Sequence, residues 1–299
     1  MHRPPETEVR LDVANYAVCF IDLLGQRVAL RGQGLLAESK TEQDHEQLLR
    51  TLRASVGSIS ALQRHAEDLI DASTPRADSP LRAKLPQEQQ SAWDELQKLK
   101  LTTQRWSDGL MLFSSLGDKS VKCHMNSVYR LFVLAAALCF IGLASKRPLR
   151  GAIEVAWGVE LNPGELHGAA VSCAYELESE FADYPRIVVG PNMLQYIKLQ
   201  SKNPGTEHHD QVGKALAEFC LDLIVQDADG HWMLHYLGDT YANAITGSHH
   251  DDLYRKAKAY LLAQLEQHRN SKCTKLAFRY IHLANYFDAH APGMGSNGV

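Results

Sequence analysis

The sequence predicts an α+β fold in which helices pack on one face of a mixed, mainly antiparallel β-sheet. Short apolar runs with β-branched and aromatic residues predict the strands, and tight-turn sequences separate two pairs of these runs. Long segments whose apolar residues recur every three or four positions predict helices between the strands. Antiparallel hairpins that alternate with long helices are typical of this fold class.

The N-terminal third begins with a strand over residues 16–21, an apolar run that ends on Asp22. Apolar residues spaced three and four apart then predict an amphipathic helix over 41–71. Three prolines among polar residues predict a solvated connection over 72–87, and a short helix is predicted over 88–98.

The middle of the chain contains a hairpin and a core helix. Strands predicted over 101–106 and 110–113 meet at a Ser-Asp-Gly turn. The apolar run over 131–144 is shorter than the roughly 20 residues that cross a bilayer, so it predicts a buried helix over about 119–145. The same patterns predict the remaining elements: strands over 150–159, 165–167, 186–189, 225–226 and 231–236, and helices over 169–181, 192–199, 210–224, 250–268 and 273–288.

Composition narrows the class of protein. The chain has 299 residues, 35 acidic against 31 basic, with a net charge of −4 and a pI of about 6.4. This balance argues against non-specific binding of long nucleic acid. None of the six cysteines forms a C-x-x-C pair, which argues against a zinc ribbon and suits a reducing compartment. The polar N-terminus lacks the apolar stretch of a signal peptide, so we expect a cytoplasmic protein without a membrane segment.

The residues that point to chemistry are Asp22 and Asp108, because each lies where an apolar strand stops. A carboxylate there must face water, a cation or a ligand, since an unpaired buried charge is costly. If the two strands are neighbours, the pair would suit Mg²⁺ or Mn²⁺ with substrate phosphates. The backbone N–H groups of Leu23, Leu24 and Gly25 could then hold phosphate oxygens. The alternative is that both aspartates are ordinary turn residues.

Four segments together resemble the class III nucleotide cyclases. F-I-D-L-L-G at 20–25 resembles the family's F-x-D-x-x-G, and S-D-G-L-M-L-F at 107–113 resembles its second metal-aspartate hairpin. R-G-A-I-E-V-A-W-G at 150–158 is similar to R-x-G-I-x-x-G, and G-A-A-V-S-C-A-Y-E-L-E at 168–178 is similar to G-x-x-V-N-x-A-x-R-L-E. W-S-D-G, A-Y-E-L-E and Y-P-R-I-V-V are most similar to the pyrimidine nucleotide cyclases of Pycsar anti-phage defence.

The resemblance implies a cyclase-like catalytic domain over residues 1–200, with 201–299 as an extension packed on it. Asp22, Asp108 and the Ile21 carbonyl would hold two divalent ions, Mn²⁺ or Mg²⁺. The ribose 3′-hydroxyl would attack the α-phosphate, which releases pyrophosphate and leaves a 3′,5′-cyclic nucleotide. The family also implies a homodimer with sites between subunits, and a separate effector that reads the cyclic nucleotide.

The chain departs from the family at its transition-state pair. Ser172 stands where the family has asparagine, and Glu176 stands where it has arginine. A glutamate cannot neutralise a transferring phosphoryl group, so Arg150 or Arg186 would have to supply the positive charge. The alternative is that both arginines form ion pairs with Glu178, Glu180 or Asp183.

The residues that would select the base also differ from the family pattern. The family's purine-selecting lysine falls on Gln104, with Arg105 beside it. Either side chain can donate to the carbonyl oxygens of uracil or cytosine, which agrees with a pyrimidine substrate. These two residues do not separate UTP from CTP. Together with the paired aspartates, the resemblance implies a uridylate cyclase that converts UTP to cyclic UMP. The alternatives are a cytidylate cyclase acting on CTP, a purine cyclase, and a cyclase-like nucleotide sensor without catalysis.

Overall fold

A computed structural model describes residues 12–25, 41–73 and 98–292, together with Gln90 and Asp94. Its strands are β1 (Ala14–Leu23), β2 (Thr102–Trp106), β3 (Gly109–Ser115), β4 (Leu149–Asn162), β5 (Glu165–His167), β6 (Ile187–Val189), β7 (Ile224–Gln226) and β8 (Trp232–Leu234). Its longer helices are α1 (Glu42–Ser73), α2 (Met125–Ala144), α3 (Ala169–Phe181), α4 (Pro191–Gln200), α5 (His208–Asp222), α6 (His250–Asn270) and α7 (Thr274–Ala289).

These bounds agree with the predicted elements to within about three residues, except that α2 begins at Met125, six residues after its predicted start. The predicted connection and helix over 72–98, and the tail after 292, lie mostly outside the described residues. Within the described residues, the strands form one sheet in the order β2-β3-β1-β4-β6-β8-β7, with β5 paired to β4. Only the β4–β6 pair is parallel among these strands. The mixed, mainly antiparallel sheet with packed helices is therefore confirmed.

The helices lie on both faces of the sheet rather than on one. Alternate residues of β1 enter separate cores, because successive side chains on a strand point to opposite faces. Ala17, Cys19 and Ile21 join the larger core with α2, whereas Val18 and Phe20 join a smaller one. The smaller core is closed by Ala170, Val171 and Ala174 of α3. The expectation of helices on a single face is corrected for α3, whose small residues allow it to cover the other face.

Helix α2 occupies the centre of the larger core. It is the one helix among the described residues that is long and apolar enough to cross a membrane, with a mean hydropathy of 2.0. Two thirds of that apolar window, 67%, is nevertheless buried inside the protein. The prediction of a core helix is confirmed.

The C-terminal extension contributes to the same core as the rest of the chain. Its strands β7 and β8 continue the sheet beyond β6. Leu261 of α6 and Phe287 of α7 are fully buried in the cluster that also contains Ile21 and Phe132. Removing the extension would therefore expose apolar surface on α2.

His235, directly after β8, lies in an aromatic cluster formed by α7. Its Nδ1 lies 3.0 Å from the hydroxyl oxygen of Tyr286, and its ring centroid is 4.5 Å from that of His290. Burial and the neighbouring His290 lower the pKa of His235 from its ordinary 6.5 to about 4, although Asp239 acts in the opposite direction. The folded protein therefore holds this imidazole neutral over a pH range in which the unfolded chain protonates it.

We expect acid to destabilise the fold through His235. Between about pH 6.5 and pH 4 only the unfolded chain takes up this proton. The free energy of unfolding should therefore fall by about 2–3 kcal/mol across that window. Urea unfolding at several pH values should show a shallower pH dependence for His235→Gln than for the wild type. His249→Gln, at an exposed histidine, is the control and should keep the wild-type dependence. An unchanged dependence in His235→Gln would contradict the prediction.

Candidate active site at the strand ends

The two predicted aspartates meet at one end of the sheet. In the β1–β3 ladder, Asp22 pairs with Gly109, so Asp108 lies beside the last residue of β1. The backbone N–H of Leu23 donates to the carbonyl oxygen of Asp108 at 3.4 Å. Asp22 is 15% exposed and Asp108 is half-buried, so solvent can reach both carboxylates.

Arg150 joins these residues from the neighbouring strand. It lies directly opposite Asp22 in the β1–β4 ladder, and opposite residues of antiparallel strands project on the same face. Its Nη2 and Nε donate to Asp22 Oδ2 at 3.3 and 3.4 Å. The same Nε lies 2.6 Å from Oε1 of Glu178 on α3. We call Asp22, Asp108 and Arg150 the strand-end site.

An aromatic surface lies on the same face. The Phe20 ring makes edge-to-face contacts with Trp106 and Tyr175, at centroid distances of 6.4 and 5.4 Å. Trp106 is 41% exposed and Tyr175 is 50% exposed, so both rings present stacking surface to solvent. The sequence prediction gave neither residue a role. Tyr175 could have been found, because it follows Ser172 by one helical turn on the exposed side of α3.

Two backbone N–H groups directly after Asp22 have partners within the fold. The N–H of Leu23 is bound to Asp108, and the N–H of Leu24 donates to the carbonyl oxygen of Pro148 at 3.0 Å. These two groups are therefore committed to the fold and not offered to phosphate. Gly25 ends the described segment with φ of 93°, a left-handed conformation that favours glycine.

Gln104 and Arg105 cannot both face the strand-end site. Gln104 pairs with Met111, which lies in the smaller core, and its Oε1 accepts from the N–H of Leu166 at 2.9 Å. Arg105 points to the opposite face, where its Nη2 donates to Gln63 of α1 at 2.7 Å. Arg105 therefore lies on the face away from Gln104, because alternate strand residues point apart, and its role in base recognition stays a prediction.

Ser172 and Glu176 are exposed on α3, one turn apart. The Ser172 hydroxyl donates to the Gly168 carbonyl oxygen at 3.5 Å, within its own helix. Two positions further along α3, Glu178 turns toward the sheet and is 2% exposed. The helix therefore directs Glu178, and not Glu176, toward Arg150.

The Arg186 side chain lies away from the strand-end site and forms ion pairs with the β7–β8 hairpin. Its guanidinium is buried, lies 2.5 Å from both Asp227 and Asp229, and donates to the Phe181 carbonyl oxygen at 2.6 Å. Burial alone would raise the pKa of Asp229, but the hydrogen bond from Arg186 lowers it overall. Among the described residues, its side chain joins β6 to the β7–β8 hairpin, and a catalytic role for Arg186 stays a prediction.

Glu154 is a buried carboxylate that sequence reasoning missed. From β4 it accepts hydrogen bonds at 2.7 Å from the N–H groups of Val155 and Met193, the latter in the first turn of α4. Burial raises its pKa above the ordinary value. These contacts give Glu154 a structural role, since its oxygens cap a helix that lacks a side-chain cap of its own.

The strand-end residues fit a divalent cation by their donor chemistry. Two carboxylates and the Ile21 carbonyl are oxygen donors, which Mg²⁺ and Mn²⁺ prefer. A Cβ at Gly109 would lie 3.0 Å from the Ile21 oxygen, so a larger residue there would crowd this donor. Across the described residues, no three His, Cys, Asp or Glu side chains cluster as metal ligands. A metal here would therefore take ligands from its substrate as well.

Comparison with known proteins gives only distant structural similarity. Neither the known family models nor the curated protein sequences match the chain. A monomeric guanylyl cyclase domain of the RhoGC fusion protein from the fungus Blastocladiella emersonii is 12% identical, with a TM-score of 0.39. The catalytic core of a rhodopsin–guanylyl cyclase with converted specificity, in complex with ATPαS, is also 12% identical, with a TM-score of 0.37. Each alignment covers 75% of this chain and 97% of the other. Scores this low assign neither fold nor activity, so the proposal below depends on this chain's own residues.

Proposed function

We propose that this protein is a metal-dependent nucleotide cyclase that converts UTP to 3′,5′-cyclic UMP and pyrophosphate. The observation that carries the proposal is the meeting of Asp22 and Asp108 at one sheet end, with Arg150 on the same face as Asp22. Carboxylates at this position suit the Mg²⁺ or Mn²⁺ of a nucleoside triphosphate, and the guanidinium suits its phosphates. The exposed rings of Trp106 and Tyr175 add surfaces on which a base can stack.

The reaction makes one phosphorus–oxygen bond and breaks another. The ribose 3′-oxygen attacks the α-phosphorus, its proton passes to solvent, and the bond to the β-phosphate oxygen breaks to release pyrophosphate. When bound, two divalent ions would stabilise the attacking and leaving oxygens. Asp22 and Asp108 would hold these ions, and Arg150 would offset the negative charge of the triphosphate.

The pyrimidine preference is the finer part of the proposal. It is supported by Gln104, which occupies the position of the purine-selecting lysine and lies on the Asp22 face of the sheet. A glutamine amide can donate to a pyrimidine carbonyl oxygen. Cyclic CMP from CTP is the alternative product. The motif resemblance extends the proposal to a cytoplasmic homodimer that signals through a separate effector in anti-phage defence.

A product assay tests the proposal directly. The full chain is incubated with Mn²⁺ and each of UTP, CTP, ATP and GTP in turn, and the products are separated by chromatography. Cyclic UMP and pyrophosphate in equal amounts are the expected result with UTP. Cyclic product from a purine alone would overturn the pyrimidine preference, and no cyclic product from any nucleotide would overturn the activity.

A nucleotide sensor without catalysis is the second candidate. Two observations favour it. Arg186 is paired with Asp227 and Asp229, and the exposed Glu176 stands at the position of the family's arginine. Calorimetry with UTP and Ca²⁺, together with a pyrophosphate assay in Mn²⁺, separates the two candidates. Tight binding without pyrophosphate release would favour the sensor.

A further inference from the structure

A cavity of about 340 Å³ lies between the β7–β8 hairpin and helix α7. The loop before β6, the turn of the hairpin and one face of α7 line it. A volume of this size accommodates a small organic molecule. The described residues that line the cavity include none of Asp22, Asp108 and Arg150, so it is separate from the strand-end site.

The hairpin side of the cavity is rich in hydrogen-bond acceptors. Asp227 and Asp229 line it, and their side chains are 14% and 40% exposed. Both carboxylates pair with the single guanidinium of Arg186, which leaves an excess of one negative charge on this side. An ionised carboxylate has about four lone-pair sites, so Asp229 keeps acceptor capacity beyond its contact with Arg186. This side of the cavity therefore fits a ligand that carries N–H or O–H donors.

Aromatic rings line the same cavity. The rings of Tyr184 and His282 are nearly parallel, with an interplanar angle of 10° and centroids 6.2 Å apart. Phe278 lies about one turn before His282 on α7 and is 60% exposed, although it is a large apolar side chain. An exposed ring beside a cavity offers a face on which a flat heterocycle can stack. The cavity therefore suits a ligand with a planar ring.

Lys275 places a positive charge at the start of the α7 face that lines the cavity. It is exposed in the first turn of α7, which has no acidic residue and no side-chain cap, so the positive end of the helix dipole adds to its charge. Arg279, one turn later, is paired with Asp183. Lys275 and His282 are seven residues apart, which is about 10 Å along a helix. The cavity thus has a cationic end at Lys275, about two helical turns from the ring of His282.

We propose that this cavity binds a nucleoside monophosphate. Its base stacks on Phe278, its N–H or hydroxyl groups donate to Asp229, and its phosphate binds Lys275 beside the first turn of α7. A ligand with a ring at one end and an anion at the other matches the order of acceptors, aromatic rings and cation along the cavity. The cavity and the strand-end site share no residue among those described, so this inference does not depend on the proposed function.

Calorimetry with UMP and with uridine tests this site in the full chain. EDTA is present, so that no divalent cation can hold a phosphate at the strand-end site. We expect one UMP per chain, bound more tightly than uridine. Lys275→Gln should weaken UMP binding about tenfold, as loss of a hydrogen bond to a charged group commonly does, and uridine binding by less than about twofold. Phe278→Ala should weaken both ligands by at least about fivefold, because both stack a base.

Two control variants keep the outcome decisive. Lys275 and Phe278 are both exposed, so their replacement should leave the fold intact. Lys214→Gln removes the same charge from an exposed position on α5 and should keep the wild-type affinity for UMP. Arg150→Gln should keep it as well, because Arg150 does not line the cavity.

Three results would overturn the proposal. The first is no binding of UMP by the wild type. The second is wild-type affinity for UMP in Lys275→Gln or in Phe278→Ala. The third is loss of UMP binding in Arg150→Gln alone, which would place the nucleotide at the strand-end site. None of these measurements involves turnover of UTP, so a failure of the proposed cyclisation would be a separate result.

Discussion

Replacing Asp22 or Asp108 by asparagine should lower kcat/KM for the cyclisation of UTP by at least about 10³-fold. A neutral amide is a weak ligand for Mn²⁺, and loss of several kcal/mol of transition-state stabilisation corresponds to a change of this size. The fold should survive both changes. Arg150 keeps its 2.6 Å contact with Glu178 when Asp22 is neutral, and Asp108 is only half-buried in a turn.

Initial rates of cyclic UMP formation in Mn²⁺ provide the measurement, and circular dichroism verifies the fold. Asp222→Asn is the matched control, since it makes the same change at an exposed residue ending α5. Its rate should equal that of the wild type. Wild-type turnover by either Asp22→Asn or Asp108→Asn would remove that residue from the metal site.

Replacing Arg186 by methionine should destabilise the protein by about 3–5 kcal/mol, the usual cost of removing one partner from a buried ion pair. Its guanidinium holds Asp227, Asp229 and the Phe181 carbonyl oxygen, and it is 1% exposed. The substitution leaves the partly buried Asp227 without its cation. Urea unfolding measures the loss as a lower midpoint.

Arg279→Met is the comparison for Arg186. Its guanidinium pairs with Asp183, but these side chains are 23% and 55% exposed. Solvent screens such a pair, so its loss should cost less than about 1 kcal/mol. Adding Asp227→Asn to Arg186→Met should recover part of the lost stability. Equal midpoints for Arg186→Met and the wild type would show that the buried pair does not support the fold.

The proximity of Asp22 and Asp108 could be predicted because local sequence patterns define both strand ends. The Ser-Asp-Gly turn sets the register of β2 against β3, and Asp22 ends an apolar run of the length of one strand. The two aspartates could therefore be expected together once β1 was placed beside β3. The opposed directions of Gln104 and Arg105 were also available, because the side-chain period of a strand is two.

Other parts of the site depend on contacts between distant segments. Arg186 pairs with Asp227, which lies forty-one positions later in the chain, and no local sequence pattern links the two residues. The choice of Glu178 as the partner of Arg150 follows from the packing of α3 on β4, which periodicity alone does not define. The placement of α3 on the second face has the same origin, since its alanines fit either side of a sheet.

The core shared by the first 200 residues and the extension has a thermodynamic consequence. Ile21 and Phe287 belong to one buried cluster, so the two parts should unfold in a single cooperative transition. A ligand that binds the native state raises the unfolding free energy by RT ln(1 + [L]/Kd). A nucleotide bound at the sheet end would then raise the melting temperature of the entire chain, including helices far from the bound phosphates.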